Sequence, residues 1–326
     1  MGLHSCSLAR GFEVGGEQET QHSQDLENLV GADFSGRDLA GRDFSETKLA
    51  GANFENANLR GAIFRGADLS GAEFFMADLE GADLRDCVAP NAGFAHANLT
   101  GANMFSARLS GSTFANALLL SADLRAAELE GTRFNAADLR RANFVKASLN
   151  RADLCGARVG GACFEEADLH GATVEGLRGY EKASWVRASI VGMDFRGAYA
   201  IRQFVIDQNF LDEYRHRSRA NTVLYWLWWL TSDCGRSLSR WGGFTLILAV
   251  LFGLGYQNVG IDMGDNATPL SPYYFSVVTL TTLGYGDVVP TTSAGQALVM
   301  LQVIVGYLML GGLISIFANK MARRGA

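Results

Sequence analysis

The sequence predicts two unlike domains, a solenoid of short repeats followed by an all-α membrane domain. Large apolar residues recur every five positions over residues 34–174, a stretch otherwise rich in alanine and glycine. The C-terminal part is instead apolar and aromatic, and its two long apolar runs flank a glycine-containing loop, residues 279–290. A chain of 326 residues is long enough for two such domains.

The repeat follows one rule over nearly its whole length. Each large apolar centre is preceded, two residues earlier, by alanine, and Asp or Asn often follows that alanine, as in Ala67-Asp68-Leu69. A period of five matches neither an α-helix nor a β-strand, and a short fixed period is typical of solenoids. The pattern resembles that of the pentapeptide-repeat family. This resemblance implies a right-handed quadrilateral β-helix in which four pentapeptides form one coil.

The interior of this solenoid can be predicted from the choice of centres. Phe and Leu alternate over residues 34–79, so Phe should stack on two opposite faces and Leu on the other two. The alanines should also point inward, because only a small side chain fits near a corner. Larger residues replace alanine in the first coil and predict an irregular start there: Arg37, Arg42 and Thr47.

Two later positions depart from the rule. At Ala89-Pro90 the pattern lapses, and because proline lacks a backbone donor we expect a bulge or an exposed corner. Beyond Val174 the register fails. A last partial coil, shifted by one residue, would cap the solenoid with the following centres: Trp185, Ile190 and Phe195.

Two interpretations of the repeat domain remain open. Acidic side chains are mixed with many arginines over residues 30–178, so we do not expect a mimic of nucleic acid or a nucleic-acid partner. The domain is either a rigid spacer or assembly scaffold, or a sensor whose faces bind an unknown cytosolic protein or ligand. No motif in the repeat identifies such a ligand.

Composition argues against several other classes of protein. The net charge of −6 indicates no particular partner. The five cysteines and five histidines are dispersed without metal-ligand spacing, so we expect reduced thiols and no zinc site. We see no nucleophile–base pair and no phosphate-binding loop, and therefore expect neither an enzyme nor a cofactor. Residues 1–28 lack the apolar core of a secretory signal and are expected to form a flexible tail.

A connector is predicted over residues 199–232. Its second half carries three tryptophans and a tyrosine between residues 223 and 230, which favours a helix at the membrane interface. A helix buried against the end of the β-helix is the alternative. Its first half should be a helix with one apolar face made by three residues: Ile201, Phe204 and Val205.

The two apolar runs predict two membrane-spanning helices, residues 233–256 and 294–318. Ser232 or Asp233 could cap the first of them. The loop between the runs contains no Lys or Arg, whereas basic residues flank the outer ends of both. The positive-inside rule then places both termini in the cytoplasm of a multi-pass protein of the plasma (inner) membrane. No helix carries arginine at every third position, so we expect no voltage sensor.

A short helix and a glycine-rich stretch lie between the two spans. Ser271–Thr281 should form a helix opened by Pro272, and residues 282–287 follow it as Thr-Leu-Gly-Tyr-Gly-Asp. Gly284 and Gly286 can reach positive φ without steric penalty, which lets successive carbonyls point the same way and replace the water shell of an ion. The hexapeptide closely resembles the selectivity filter of two-transmembrane-helix, pore-loop potassium channels.

This resemblance implies a homotetramer in the lipid bilayer, with four loops around one axis and K⁺ as the transported ion. It implies carbonyl ligands for K⁺ from residues 282–285 and a hydroxyl ligand from Thr282. The selectivity filter so assigned consists of Thr282, Leu283, Gly284, Tyr285 and Gly286. The residues that would support the filter from behind or beside it are Asp287, Tyr274, Thr281 and Val278.

Two of the positions so assigned leave questions open. Some relatives carry a Glu behind the filter at the position of Val278. The slow filter collapse associated with that Glu is therefore not predicted for this chain. Gly306 matches the hinge glycine of the inner helix, so that Gly306→Ala should lower the open probability and leave selectivity unchanged. A packing role is the alternative for Gly306, and Gly311-Gly312 offers a rival bend.

The sequence therefore predicts passive, K⁺-selective conduction through a homotetrameric pore, with cytoplasmic repeat domains as scaffold or gating module. The alternative is a weakly selective or non-conducting membrane scaffold whose repeat domain binds protein partners. Because the chain ends at Ala326, we expect gating to arise in the membrane, the inner helices or the repeats. The predicted segments are a tail (1–28), the β-helix with its cap (29–198), the connector (199–232) and the pore domain (233–326).

Overall fold

The computed structural model describes residues 29–235, 237–259, 261–263, 267–284, 286 and 288–322. The chain divides into two compact units, Met1–Phe210 and Leu211–Ala326. This division falls inside the segment that the sequence predicts as a connector.

The first unit contains the quadrilateral β-helix that the five-residue period predicts. Isolated parallel bridges join residues twenty positions apart, such as Asn53 and Glu73, and one bridge recurs in every pentapeptide. The N–H of the centre Phe54 donates to the carbonyl of Glu73 at 2.7 Å, and the N–H of Asn53 donates to the preceding coil at Ala32. Each coil therefore satisfies the backbone of its two neighbours, as in other repeat proteins.

The core of the β-helix consists of ring stacks and alanines. Phe rings from successive coils stack with centroids 4.7–5.1 Å apart in one column that runs from Phe34 to Phe134. A second column stacks Phe44 on Phe64 at 5.1 Å and resumes as Phe144, Phe164 and Trp185. The alanines that precede the centres, such as Ala52 and Ala72, are completely buried. The predicted interior is therefore confirmed.

The first coil is more regular than its sequence predicts. Phe34 and Leu39 donate their N–H groups to the next coil at 2.7 and 2.8 Å, as later centres do. Arg37 stays exposed and Arg42 half-buried, so neither needs space inside a coil. Thr47 is buried, and its hydroxyl donates to the carbonyl of Phe44 at 2.7 Å. The expected irregularity is wrong because these larger side chains are either turned out or hydrogen-bonded locally.

Of the two alternatives expected at Ala89-Pro90, the bulge is wrong, and Pro90 instead lies half-buried in a corner turn of the coil. Ala89 occupies the place of a centre, is completely buried, and donates its N–H to the carbonyl of Arg108 at 2.7 Å. Pro90 directly follows this centre. In the described coils the N–H at that position takes no part in the backbone ladder, so proline loses no hydrogen bond there. Its carbonyl still accepts the N–H of Gly71 at 3.0 Å.

The last coil shows the predicted shift by one residue. A short 3₁₀ helix, Tyr180–Lys182, adds the extra residue, and the bridges then join residues twenty-one positions apart, as in Cys163 with Ser184. Trp185 is completely buried as a centre of this coil. The prediction of a shifted final coil is therefore confirmed. The cysteines that the structure describes are all free thiols: Cys87, Cys155, Cys163 and Cys234.

Helix α1, Tyr199–His216, closes the end of the β-helix. Its predicted apolar face is confirmed, because Ile201 and Val205 are buried in the core of the solenoid. The side chain of Gln208 accepts the N–H of Trp185, and that of Asn209 accepts the N–H of Arg187, both at 2.6 Å. The helix thus covers apolar centres and satisfies backbone donors of the terminal coil.

The second unit begins with helix α2, Arg219–Ser232, and helix α3, Leu238–Tyr256. The predicted continuous start of the first span at residue 233 is wrong. Three successive residues have positive φ, namely Asp233, Cys234 and Gly235, and this left-handed turn separates the two helices. Ser237, and not Ser232 or Asp233, caps α3, because its hydroxyl accepts the N–H of Arg240 at 3.2 Å.

The remaining elements are two helices and one strand pair. Helix α4 is Ser271–Leu280 and helix α5 is Ser293–Ala322. Strand β1, Ile261–Asp262, pairs antiparallel with β2, Val289–Pro290. Within the part of the chain that the structure describes, two helical segments are long and apolar enough to cross a membrane, Leu238–Tyr256 and Ser293–Ala318, which agrees with the two predicted spans apart from the later start of the first.

Candidate functional site

Helix α4 leads directly into the candidate site. Pro272 lies in its first turn, where the missing N–H costs no helical hydrogen bond. Ser276, Val278 and Leu280 on this helix are buried, although it is only ten residues long. It is too short to cross a bilayer, so its C-terminal end lies inside the second unit. That end carries partial negative charge, which favours a cation beyond it.

The loop after α4 folds back on the helix before it extends. The N–H of Thr282 donates to the carbonyl of Thr279 at 3.1 Å, and the N–H of Leu283 donates to that of Val278 at 3.0 Å. The Thr281 hydroxyl also donates to the carbonyl of Val277 at 2.8 Å. The backbone at the base of the loop is therefore attached to the last turn of the helix.

Three described residues of this loop have positive φ. Thr282, Gly284 and Gly286 have φ of 60°, 49° and 79°, whereas Leu283 is not among the residues with positive φ. A left-handed conformation is rare for a β-branched residue such as threonine. When left- and right-handed residues alternate, successive N–H groups face one side and the carbonyls face the other. The predicted positive φ of the two glycines is confirmed.

The other predicted site residues lie around this loop. Val278 is buried, whereas Thr281, Thr282, Leu283 and Gly284 are exposed within a single chain. Tyr274 is about half exposed, at 47%. Two predicted site residues, Tyr285 and Asp287, lie outside the described residues. Among the residues that the structure does describe, no group of three or more His, Cys, Asp or Glu could hold a metal ion.

Gly306 lies where α5 crosses the end of α4. A Cβ placed on Gly306 would stand 2.6 Å from the carbonyl oxygen of Leu280 and 3.2 Å from its carbonyl carbon, distances that side chains do not tolerate. Gly311 has no atom within 4 Å of such a Cβ, while Gly312 faces the ring of Trp241. The packing alternative for Gly306 therefore has direct geometric support, and its role as a hinge stays a prediction.

One cluster of polar residues was not singled out from the sequence. Gln302 on α5 is completely buried, and its Nε2 donates to the Ser276 carbonyl at 2.9 Å and to the Ser276 hydroxyl at 2.7 Å. Its Oε1 accepts the hydroxyl of Tyr256 on α3. The Ser276 hydroxyl donates to the Ala249 carbonyl at 2.7 Å. The available signal was one glutamine inside an apolar run, four residues before Gly306.

Comparison with known families and structures agrees with this two-part organisation. Residues 243–323 match the ion channel family, and four segments match pentapeptide repeats: 28–66, 67–104, 102–141 and 132–171. No curated protein matches the chain.

Several solved structures of pentapeptide-repeat proteins are similar to this chain. One, from the thylakoid lumen of Arabidopsis thaliana, is 37% identical over 33% of this chain and 69% of its own, with a TM-score of 0.25. HetL from Nostoc sp. strain PCC 7120 is 23% identical over 55% of this chain and 93% of its own, with a TM-score of 0.28. QnrB1, a plasmid-mediated fluoroquinolone resistance protein, is 20% identical over 51% and 85%, with a TM-score of 0.35.

The family matches fall on the same residues as the two structural patterns. The described bridges that recur every five residues begin at Asp33, inside the repeat match. The loop after α4 lies inside the channel match. The chain therefore contains pentapeptide repeats over residues 28–171 and an ion channel domain over residues 243–323.

Proposed function

We propose that the chain is one subunit of a K⁺-selective channel, in which four copies surround a single pore. The observation that carries the proposal is the positive φ of Thr282, Gly284 and Gly286 directly after the C-terminal end of α4. Rings of backbone carbonyls are the means by which potassium filters replace the hydration shell of the ion. One loop supplies oxygens from one side only, so several copies are needed to surround an ion.

The ligands in this proposal are backbone oxygens with one side-chain hydroxyl. The carbonyls of Thr282, Leu283, Gly284 and Tyr285 bind K⁺, Gly286 completes the turn, and the Thr282 hydroxyl lines the innermost site. Asp287 and Tyr274 support the filter from its outer side. The hydrogen bonds from Leu283 and Thr281 to carbonyls of α4 support the idea that α4 holds these oxygens at a fixed depth.

Exposed apolar surface supports an assembly within a membrane. Leu246 on α3 is 67% exposed and Leu308 on α5 is 69% exposed, and leaving such side chains in water costs roughly 1.5–3 kcal/mol each. Lipid and neighbouring subunits would cover them. We further propose that the chain lies in the plasma (inner) membrane with both termini in the cytoplasm, because basic residues flank the outer ends of the two spans.

Helix α2 is proposed to lie at the cytoplasmic interface of the membrane. Trp226, Trp228 and Trp229 are all exposed, as amphipathic rings at headgroup level would be. The guanidinium of Arg215 lies 5.1 Å from the ring centre of Trp226, and that of Arg240 lies 5.2 Å from Trp229. Such stacking holds the cations beside the rings, where anionic headgroups would meet them.

The experiment that tests the function is bi-ionic recording of the full-length protein in planar bilayers. With K⁺ on one side and Na⁺ on the other, the reversal potential should show strong preference for K⁺, and native mass measurement should show four chains. Equal passage of Na⁺ and K⁺, or a monomer in the bilayer, would contradict the proposal. A stable particle that passes no ions would favour the membrane scaffold.

We infer that the repeat domain serves as a rigid scaffold on the cytoplasmic side. Its continuous core and the backbone hydrogen bonds between successive coils connect each described coil to its neighbours, which supports a rigid body. Deletion of residues 1–219 tests this. A scaffold predicts unchanged single-channel gating in the shortened tetramer, whereas altered open probability would identify the repeat domain as a gating module or sensor.

A further inference from the structure

A buried polar cluster joins three helices of the second unit. We define it as Gln302 on α5, Ser276 on α4 and Tyr256 on α3, and all three residues are buried. Gln302 is the link between the other two, because its Nε2 donates to Ser276 and its Oε1 accepts from Tyr256. Their side chains are almost completely removed from solvent, so their polar groups depend on one another for hydrogen bonds.

The contact of Gln302 with Ser276 lies one helical turn from the contact of Gly306 with Leu280. On α5 the two residues are four positions apart, one helical turn, and on α4 their partners Ser276 and Leu280 are also four apart. The last turn of α4 therefore meets α5 at two successive levels, first by a hydrogen bond and then by close backbone packing. A shift of α5 along or around its axis must break one contact or carry α4 with it.

The same turn of α4 holds the base of the loop. The carbonyl of Val278 accepts the N–H of Leu283, and Val278 lies only two residues beyond Ser276. A displacement of Ser276 thus reaches the first oxygens of the loop through one hydrogen bond and part of one helical turn.

We propose that Gln302 is a positioning residue for the ion site, which fixes the depth and rotation of α4 through Ser276. This inference rests on the proposed function, since it assigns a consequence for ion selectivity. Tyr256 has a separate role, because its hydroxyl occupies the Oε1 of Gln302 and leaves the amide nitrogen directed at Ser276.

The cluster permits a test that separates positioning from mere stabilisation. Gln302→Met keeps the length and volume of the side chain but leaves the Tyr256 hydroxyl without its acceptor, and an unsatisfied buried group is destabilising. Adding Tyr256→Phe removes that hydroxyl, so the double variant no longer contains a buried hydroxyl that has lost its acceptor. The Ser276 hydroxyl keeps its acceptor at Ala249 in both variants. The double variant should therefore regain thermal stability but not the link from α5 to α4.

Two measurements on the full-length tetramer are compared, the K⁺/Na⁺ permeability ratio and the hydrogen exchange of the α4 amides. Positioning predicts that Gln302→Met lowers the permeability ratio and speeds exchange by about tenfold each, the equivalent of about 1.4 kcal/mol. The double variant should keep both defects while its melting temperature returns toward that of the original protein. Gln296→Met, an exposed glutamine near the start of α5, is the matched control and should change neither quantity.

The possible outcomes distinguish this inference from the proposed function. If the double variant regains both selectivity and slow exchange, the cluster only satisfies polar groups and Gln302 is not a positioning residue. Unchanged exchange in Gln302→Met would overturn the inference in the same way. If the original protein does not select K⁺, the proposed function fails, while the exchange of α4 still decides whether Gln302 fixes that helix.

Discussion

The two units of this chain differ in how completely a single copy buries its apolar residues. In the β-helix, centres such as Leu99 and Phe114 are completely buried by neighbouring coils. In the second unit, Leu246 and Leu308 are mostly exposed although they belong to the most apolar helices. A single chain therefore buries the apolar side chains of its repeat domain. The helices of the channel domain require lipid and further subunits to cover their apolar side chains.

A second difference concerns the use of left-handed residues. In the β-helix, the second residue after each centre has positive φ, and residues as different as Asn56, Met76 and Ala126 occupy this position. The conformation there only turns a corner, so many side chains are accepted. In the loop after α4, positive φ instead recurs at every second residue, where it decides the direction of each carbonyl. Substitutions at left-handed residues should therefore be tolerated in the β-helix and should impair the ion site in the loop after α4.

The largest expected effect is that of replacing a left-handed glycine in the loop after α4. The same replacement in the β-helix provides the comparison. Gly284→Ala places a Cβ at φ of 49°, and Gly51→Ala does so at φ of 66°, with no atom within 4 Å of either. The local cost is about 1–2 kcal/mol in each case. In the proposed tetramer four copies of Gly284 act on one ion site, so we expect loss of K⁺-selective current in bilayer recordings.

Gly51→Ala is the control for that experiment, because alanine already occupies the equivalent corner at Ala126. It should leave current and selectivity unchanged and lower the stability of the repeat domain only slightly. If both variants conduct like the original protein, the left-handed glycine does not set the carbonyl direction, and the contrast between the two units disappears.

The next largest effect tests whether the repeat domain is self-sufficient. Phe94 stacks on Phe74 and Phe114 with centroids 4.7 and 4.8 Å apart, and Phe94→Ala should destabilise the surrounding coils by about 3–5 kcal/mol. Hydrogen exchange of amides in the neighbouring coils of the full-length protein would measure this. Because repeats act through nearest neighbours, the K⁺/Na⁺ permeability ratio should remain unchanged.

Phe105→Ala is the matched control, because that ring is 38% exposed and lies outside the core. It should lose only its contact with Arg125, whose guanidinium lies 5.5 Å from the ring centre. A change of ion selectivity in Phe94→Ala without one in Phe105→Ala would show that the repeat core acts on the ion site, which the scaffold interpretation excludes.

The two units also differ in how far their sequences predict their structures. The β-helix was predictable down to the shifted coil at Trp185, because each residue's environment repeats at a fixed spacing along the chain. The bulge predicted at Pro90 was wrong because the sequence does not reveal which backbone N–H groups make no hydrogen bond to the next coil. The predicted glycine conformations in the loop were correct for a similar reason, since positive φ depends on the residue itself.

Features that depend on contacts between distant segments were not predictable in the second unit. The break between α2 and α3 uses left-handed Asp233 and Cys234, two residue types that also occur in helices. The cluster around Gln302 requires Ser276 and Tyr256 from two other helices, and no periodic pattern joins them. The approach of Gly306 to Leu280 is a further contact of this kind.

An intermediate effect is expected where Gly306 packs against Leu280. Gly306→Ala forces the new Cβ against the Leu280 carbonyl, so the end of α4 or the axis of α5 must move. We therefore expect a several-fold lower K⁺/Na⁺ permeability ratio together with a changed open probability in single-channel records. Gly311→Ala, in open space on the same helix, is the control. A pure hinge would instead lower the open probability and leave selectivity intact.

The smallest expected effect is the pH dependence of one ion pair on the β-helix. Arg140 donates to both carboxylate oxygens of Asp138, at 2.7 and 2.6 Å. This hydrogen bond is the main cause that lowers the pKa of Asp138 from its ordinary value, against the opposing effect of burial. A carboxylate whose pKa is lower in the folded than in the unfolded state stabilises the fold at pH above its unfolded value of about 3.9. That contribution is lost as the pH falls through the folded pKa.

Asp138→Asn should therefore lower the unfolding midpoint of the repeat domain at pH 7 and have progressively less effect below about pH 4. Partly exposed ion pairs contribute up to about 1 kcal/mol, so the shift should be small. Glu130→Gln is the control, because the Arg151 guanidinium approaches that carboxylate only to 3.9 Å and both side chains are exposed. Calorimetry of the full-length protein in detergent at pH 7 and pH 3 would measure both variants. An equal effect of Asp138→Asn at the two pH values would mean that the side chain acts through packing, so that even the surface of the β-helix would depend on shape and not on charge.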